Sequence, residues 1–171
     1  MKKIIFIAFC GVWLTACSKE KVVFEKTVDL KNATWTYADT LDFAFDIADT
    51  MALYDMTLQI RHRADYGFQN IYVQIFTKFP TGERIAQPLN FDLADATGKW
   101  LGKGSGASRE FEVNIQENAF FNQAGRHVVT LAQFMRSESL AGIERIRFKL
   151  VDKNARRDLA AEEKRQPKRR N

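Results

Sequence analysis

A glycine- and lysine-rich segment, DLADATGKWLGKGSG at residues 92–106, is the part of the chain whose composition most suggests chemistry. Glycine lets backbone N–H groups approach an anion, so such loops can bind phosphate. A P-loop requires GxxxxGK followed by Ser or Thr, between a strand and a helix. Here Gly98 and Gly102 are one residue too close together, and Gly104 stands where the Mg²⁺-binding hydroxyl belongs. GxGxxG spacing is also absent, so we expect no nucleotide and no cofactor.

Other residue types that carry catalysis are sparse or poorly spaced. The chain contains no GxSxG motif, and its histidines, His62 and His127, both fall on predicted strands, where a structural role is the usual one. Two histidines without cysteine do not suggest a zinc site. We therefore predict no enzymatic activity and no metal site. A structural Ca²⁺ ion remains the alternative for the carboxylates, which are Asp39, Asp42, Asp46, Asp49, Asp92 and Asp95.

The N-terminus has the pattern of a bacterial lipoprotein signal. Lys2 and Lys3 precede an apolar run over residues 4–14, which is too short to span a bilayer. The run ends in Leu-Thr-Ala-Cys, which predicts cleavage after residue 16 and acylation of Cys17 by chains such as palmitate. Residues 17–21 then form a tether to the membrane. Cys10 would be removed with the signal, so the mature protein would contain no disulfide.

The rest of the chain shows the alternating pattern of half-buried strands. Turn signals separate these stretches, and none of them has a sustained helical period. We predict an all-β fold, a single antiparallel and jelly-roll-like β-sandwich over residues 22–152. Residues 153–171 hold eight basic and three acidic side chains and are expected to be a flexible basic tail. The predicted strands begin near Val22 and cover 41–47, 54–60, 71–79, 111–115, 128–135 and 146–150.

Aromatic residues at strand ends and in loops are candidates for a contact surface. Aromatic and arginine side chains dominate binding surfaces, and the same residues can instead close the ends of a sandwich. The alternative remains open for Trp100 in particular, which either packs inward or stays exposed. The candidate partner-binding residues are Arg61, Arg63, Tyr66, Lys99, Trp100, Lys103 and Arg136.

Three segments resemble the GldH family of gliding-motility lipoproteins from the Bacteroidetes. They are LYDMTLQIRHRADYGFQNIYVQI at 53–75, PLNFDLADATGKWLGKGSG at 88–106 and AGRHVVTLAQFMRSESLAGIERIRFKL at 124–150. This chain departs from the family pattern at Gly67, where a proline is usual, and in the basic extension after Asp152. The resemblance implies an accessory envelope lipoprotein linked to gliding and to type IX secretion. It implies no enzymatic activity and supplies no site residues.

These observations together predict a lipid-anchored cell-envelope protein that acts by protein–protein contact. Its expected partners are the membrane, through the lipid on Cys17, and other envelope or motility proteins, with no nucleic acid and no nucleotide. The favoured location is the outer membrane facing the periplasm, and the inner membrane is the alternative. The second function considered is a carbohydrate-binding lipoprotein of a glycan-uptake system. The basic tail is either a solvated terminus or a contact with anionic lipid or glycan.

Overall fold

A computed structural model describes residues 21–160, which form ten β-strands and one short 3₁₀ turn. The predicted signal peptide, Cys17 and residues 161–171 lie outside the described residues. Within 21–160, no helix is long and apolar enough to cross a bilayer. The elements are β1 (Lys21–Asp29), the 3₁₀ turn (Lys31–Ala33), β2 (Thr34–Thr36), β3 (Leu41–Ile47), β4 (Ala52–Arg63), β5 (Asn70–Lys78), β6 (Arg84–Asp92), β7 (Ser108–Ala119), β8 (Gly125–Gln133), β9 (Ser139–Ala141) and β10 (Ile143–Arg156).

Strand β3 shows how the alternating pattern produces the fold. Successive side chains of a strand point to opposite faces of its sheet. Phe43 and Phe45 are accordingly buried, whereas Asp42 and Asp46 are exposed on the other face. The predicted bounds of this strand, 41–47, agree with the structure. A central position was predicted for the strand at 71–79, and β5 does lie between β8 and β6.

The two large sheets have the strand order of a jelly roll. One sheet is ordered β1-β10-β4-β7 and the other β3-β8-β5-β6, with β2 and β9 forming a small ribbon. All pairs are antiparallel, and the first half of the chain pairs with the second half in reverse order: β1 with β10, β3 with β8, β4 with β7 and β5 with β6. This arrangement of eight long strands in two sheets defines the jelly roll. The predicted all-β sandwich is confirmed.

The sandwich has two ends with different contents. At the end that we call the base, Lys21 pairs with Asp152, Asp152 with Tyr54, and Tyr54 with Ala119. At the opposite end, which we call the distal end, the connections 64–69, 93–107 and 134–138 leave their strands. The strand β4, with 12 residues, runs from one end to the other, which separates them by about 35 to 40 Å.

The core is a continuous set of aliphatic and aromatic side chains between the sheets. Phe148 on β10 is fully buried, and its ring centroid lies 5.3 Å from that of Phe43, 6.0 Å from that of Phe45 and 6.3 Å from that of Phe24. Such tilted and offset ring pairs add to the free energy gained from burying apolar area. Apolar packing thus holds the described domain together.

Two features differ from the sequence-based expectations. Strand β6 was not predicted, because its sequence RIAQPLNFD is exposed at most positions and contains Pro88, both of which are typical of an edge strand. Strand β10 continues to Arg156, beyond the expected end of the domain at Asp152. The extension is irregular: the pairing with β4 shifts between Asp152 and Arg156, and Asn154 has a φ of 55°.

Candidate functional site

The glycine- and lysine-rich segment is a connection from β6 to β7 at the distal end, organised by Asp95. One carboxylate oxygen of Asp95 accepts hydrogen bonds from the backbone N–H of Thr97 at 2.9 Å, from its hydroxyl at 2.6 Å and from the N–H of Lys99 at 3.0 Å. These bonds favour the charged form and hold the pKa of Asp95 below its usual value, the Thr97 hydroxyl contributing most. These three donors are thus bound by the chain's own carboxylate, and the N–H groups of Gly98, Leu101 and Lys103 donate to backbone carbonyls.

Two glycines in this connection are required by close approach to β7. Lys103 and Glu110 exchange backbone hydrogen bonds of 2.8 and 2.7 Å, which brings the loop against the strand. A Cβ atom on Gly102 would lie 3.0 Å from the Glu110 carbonyl, and one on Gly104 would lie 2.8 Å from the Ser108 carbonyl oxygen. Gly104 also has a φ of +133°, which favours glycine. Gly102 and Gly104 therefore allow this connection to pack against β7.

Gly104→Ala is expected to destabilise the domain by about 2 kcal/mol, because the Cβ would combine a strained φ with a backbone clash. Urea unfolding followed by circular dichroism measures the change. Gly67→Ala is the matched control, since its Cβ would have nothing within 4 Å. An equal loss in both variants would contradict the close-approach argument.

Trp100 packs inward. Its indole N–H donates a hydrogen bond of 3.2 Å to the Ala64 carbonyl, and its ring lies edge-on to His62 with centroids 4.6 Å apart. The residue is half-buried and packs against the main core. The alternative that the sequence left open is thereby decided in favour of an anchor for the loop.

Both histidines are buried in aromatic surroundings. In His62, Nδ1 lies 2.9 Å from the Arg63 carbonyl oxygen, and in His127, Nδ1 lies 3.1 Å from that of Gly125. A carbonyl can only accept, so Nδ1 carries the proton in each ring. Nε2 of each ring is buried without a partner in the described part of the chain. Burial lowers the pKa of His62, because a second proton would place an unpaired charge in the interior.

This shift predicts that the domain loses stability in mild acid. The folded state disfavours protonated His62, whereas the unfolded chain takes up the proton at its ordinary pKa of about 6.5. The contribution of His62 is therefore fully present above about pH 6.5 and is lost as the pH falls toward the lowered folded pKa. His62→Asn retains an N–H donor near the Nδ1 position and cannot titrate there. The melting temperature of the variant should fall less than that of the natural protein between about pH 6.5 and pH 5. If the melting temperatures of the two proteins fell by the same amount over this pH range, this role of His62 would be contradicted.

Three of the proposed contact residues are engaged within the domain. Arg61 donates from Nε to Glu144 at 2.9 Å and lies 3.5 Å from Glu110, which joins three adjacent strands. Arg63 forms a bidentate pair with Asp65 at 2.8 and 2.9 Å. Tyr66 is 4% exposed, and burial raises the pKa of its hydroxyl.

The other three have exposed side chains. Lys99 projects from the loop beside Asp95, and Lys103 lines a shallow cleft of about 470 Å³ with Arg61 and Glu110. Arg136 follows β8 on another side of the distal end. Within residues 21–160, the side chains of Lys103 and Arg136 form no hydrogen bond or ion pair. The structure thus divides the predicted set between structural residues and free cations.

Arg136 lines a second cleft at the distal end, an apolar depression of about 600 Å³. Its walls carry three strongly exposed aromatic side chains: Phe68 is 42%, Tyr72 43% and Phe134 56% exposed. The neighbouring chain is well fixed, since the Phe134 N–H donates 2.8 Å to the Tyr72 carbonyl. The Tyr37 hydroxyl donates 2.5 Å to the Met135 carbonyl at the same place. Exposed aromatics around a free cation are the features of a binding surface.

The sequence analysis considered aromatic residues at strand ends and in loops, where Phe68 and Tyr72 lie, but it did not consider Phe134. Phe134 falls within the predicted strand over 128–135, but the prediction did not state which face of the strand its side chain occupies. In β8, Val129, Leu131 and Gln133 are buried, so the even-numbered positions face outward. Continuing the alternation by one residue places Phe134 on the solvent side. The alternation of buried and exposed positions along β8 could therefore have identified Phe134 as an exposed side chain from the sequence.

Within residues 21–160, no group of three or more His, Cys, Asp and Glu side chains is arranged to hold a metal ion. Asp42 instead accepts 2.6 Å from the Thr130 hydroxyl. Asp39 accepts 2.7 Å from the Thr36 hydroxyl, and Asp49 accepts 2.9 Å from the Met51 N–H. These carboxylates stabilise turns and strand pairs.

Known proteins similar to this chain agree with the resemblance seen in its sequence. The profile of the GldH lipoprotein family matches residues 22–150. A gliding motility lipoprotein GldH homolog from Christiangramia forsetii is 29% identical over 153 residues, which cover 85% of this chain and 92% of that protein. Gliding motility lipoprotein GldH from Flavobacterium johnsoniae is 22% identical over 156 residues, covering 86% of this chain and 95% of that protein.

Among solved structures, the similarity is weak. A family 61 carbohydrate-binding module in complex with β-1,4-galactotriose has a TM-score of 0.33 at 12% identity, covering 80% of this chain and 90% of that one. A family 35 module from Clostridium thermocellum has a TM-score of 0.27 at 12% identity, covering 72% and 97%. Similarity at this level gives no argument about a ligand. The family profile spans nearly the whole described domain, and the chain therefore belongs to the GldH family of gliding-motility lipoproteins, which are anchored to the cell envelope by lipid.

Proposed function

We propose that this lipoprotein catalyses no reaction and acts by holding a protein partner of the gliding and type IX secretion machinery in its aromatic cleft. The observation that carries the proposal is the exposure of Phe68, Tyr72 and Phe134 around the unpaired Arg136. Aromatic and arginine side chains supply most of the binding energy of protein interfaces. The position of the cleft at the distal end, away from the lipidated N-terminus, leaves it accessible to a partner.

The chemistry of the cleft defines the kind of segment that it would take. The ring faces would bury apolar side chains of the partner, and Arg136 would pair with a carboxylate at the rim. The backbone around Phe134 and Met135 is already fixed by hydrogen bonds to β5 and Tyr37, so little conformational freedom would be lost on binding. We expect an extended segment with large apolar side chains and an acidic residue.

Crosslinking in cells tests the proposal. A photoreactive amino acid replaces Phe134, and a second strain carries it at Gln87, an exposed position on the edge strand β6. We expect a discrete envelope protein to be captured from position 134, and neither from position 87 nor when Arg136→Glu is added. The Arg136→Glu variant should also lose colony spreading or secretion at a normal protein level. A variant that supports both processes while capturing no protein would contradict the proposal.

Location in the outer membrane, facing the periplasm, is part of the same proposal. Residues 18–21, Ser-Lys-Glu-Lys, lack the acidic cluster that usually accompanies export of a lipoprotein to the cell surface. Membrane fractionation combined with protease treatment of intact cells tests this point. We expect the protein in the outer-membrane fraction and protected from the protease. Digestion in intact cells, or recovery in the inner membrane, would contradict the location.

Binding of a glycan is the second candidate function, and one observation favours it. Tyr72 is paired across the sheet with Asn90, and Asn70 donates 2.8 Å to the Asn90 side chain, so amide groups flank an exposed ring. A sugar can place its C–H groups on such a ring while its hydroxyls bond to the amides. Calorimetry with envelope and plant oligosaccharides would then show binding that Tyr72→Ala abolishes. A protein crosslink from position 134, together with no heat of oligosaccharide binding in calorimetry, would exclude this candidate.

A further inference from the structure

The aromatic cleft alone is too small for an interface of standard size. A specific protein–protein interface covers about 800 Å² on each partner. A depression of about 600 Å³ supplies only a fraction of that area. A partner held in the cleft would therefore cover adjoining surface as well. The outer faces of the two large sheets are the surfaces available, because both continue from the distal end toward the base.

The outer face of the sheet β1-β10-β4-β7 carries paired charges. A partner lying there would remove these ions from water, and the desolvation cost of a covered ion pair can exceed its attraction. Charged residues are accordingly depleted from the centres of interfaces. Three ion pairs join neighbouring strands on this face: Arg61 with Glu144 at 2.9 Å, Arg145 with Asp29 at 2.5 Å and Arg147 with Glu25 at 3.0 Å.

The outer face of the sheet β3-β8-β5-β6 has no charged side chain at its centre. The central positions alternate along their strands with positions that point into the core, and none of them is buried. We call these six residues the uncharged face. They form two rows across three strands: Phe76 between Ala86 and Thr130, and Gln74 between Pro88 and Ala132.

The uncharged face continues directly into the aromatic cleft. Tyr72 precedes Gln74 by two residues on β5, and Phe134 follows Ala132 by two residues, so both keep the outward phase. The Phe134 N–H donates 2.8 Å to the Tyr72 carbonyl, which places these two aromatic side chains in the next row of the same surface. The cleft and the uncharged face are therefore one surface.

Two cations lie at the other end of this surface, toward the base. Lys78 and Arg84 stand opposite each other on β5 and β6, and like charges in that position destabilise a strand pair. Within residues 21–160, neither side chain forms an ion pair. The guanidinium carbon of Arg84 lies 6.0 Å from the centre of the Phe76 ring, at the border of the uncharged face. An acidic group of a partner would relieve this repulsion.

We propose that the protein partner of the cleft also covers the uncharged face. Its contact surface is flat and apolar at the centre, with one acidic group that reaches Arg136 and another that reaches Lys78 and Arg84, roughly 20 Å away along β5. The ring of Phe76 adds apolar contact at the centre, and the cations at the two ends fix the orientation of the partner. This inference rests on the proposed function, because the cleft defines the partner.

Crosslinking from the uncharged face tests the inference. A photoreactive amino acid replaces Ala86, and the strain that carries it at Gln87 is the matched control. These neighbours are both exposed on β6 but face opposite sides of the sheet, and Gln87 lines an apolar groove between the two sheets. We expect position 86 to capture the same protein as position 134, identified by mass spectrometry, and position 87 to capture none.

The outcomes separate this inference from the function on which it rests. Capture from position 134 but not from position 86 would overturn the inference and leave the role of the cleft intact. Equal capture from positions 86 and 87 would also overturn it, because contact would then not be confined to the outer face. The absence of any capture from position 134 would contradict the proposed function itself, and the inference with it.

Reversal of one charge tests the end of the surface near the base. With the captured protein in purified form, Lys78→Glu should slow association about tenfold at low ionic strength, and the difference should shrink in high salt. Lys103→Glu is the matched control, since Lys103 is another exposed lysine without an ion pair within residues 21–160 and lies beside Glu110 of the other sheet. It should change the rate by less than about twofold. Equal rates for the two variants would overturn the proposal.

Discussion

Phe148→Ala should cost the domain about 4 kcal/mol of unfolding free energy, which is a large part of the stability of a typical single domain. Phe148 is fully buried on a strand with neighbours on both sides, and its ring contacts those of Phe24, Phe43 and Phe45. Removal of the ring leaves a cavity that rigid strands cannot fill. No disulfide bond offsets this loss of stability within residues 21–160, because this part of the chain contains no cysteine.

Urea unfolding measures the effect, and Phe134→Ala is the matched control. Both substitutions remove a phenylalanine ring from the same sandwich, yet the ring of Phe134 is 56% exposed at the cleft. The control should change stability by less than about 0.5 kcal/mol while weakening binding of the partner. If Phe148→Ala and Phe134→Ala unfolded at the same urea concentration, the assignment of the core would be wrong.

Trp100→Ala is the second substitution with a large expected effect, about 3 kcal/mol. The indole covers His62 and joins the β6–β7 connection to the Ala64 carbonyl, so the variant loses both apolar contact and a hydrogen bond. The Ala64 carbonyl would also lose its indole donor. We expect hydrogen exchange to increase throughout the connection from Leu93 to Ala107, because the anchor of this segment is removed.

Two further variants separate the contributions to this effect. Trp100→Phe keeps an aromatic ring on His62 and removes the N–H, so it should cost about 1 to 2 kcal/mol. Leu101→Ala, at the next position and 53% exposed, should be close to neutral. Urea unfolding of all three variants gives the comparison. A neutral Trp100→Ala accompanied by a loss of partner binding would show that Trp100 acts as a contact residue and not as an anchor.

The candidate site was only partly accessible from the sequence. Arginines at strand ends are recognisable as candidates, but Arg61 is neutralised by Glu144, which is 83 residues away, and Arg136 has no such partner within residues 21–160. Whether a charged side chain is free depends on which strand lies beside it, and the sequence does not give the strand order. The cleft likewise combines Phe68 and Tyr72 with Phe134, which lies far along the chain.

Features that depend on residues close together in the chain could be predicted from the sequence. Alternation of apolar and polar residues predicts most of the long strands, although β6 was missed, and the order of charge, apolar run and Cys17 predicts a lipoprotein signal, because both patterns depend on near neighbours in the chain. The tertiary structure was needed to show that Trp100 points inward and that the aromatic cleft lies at the end opposite Lys21, where the described chain begins. Those outcomes depend on pairings such as Lys21 with Asp152, across most of the chain, and long-range pairing is set by packing of the whole core and not by any local pattern.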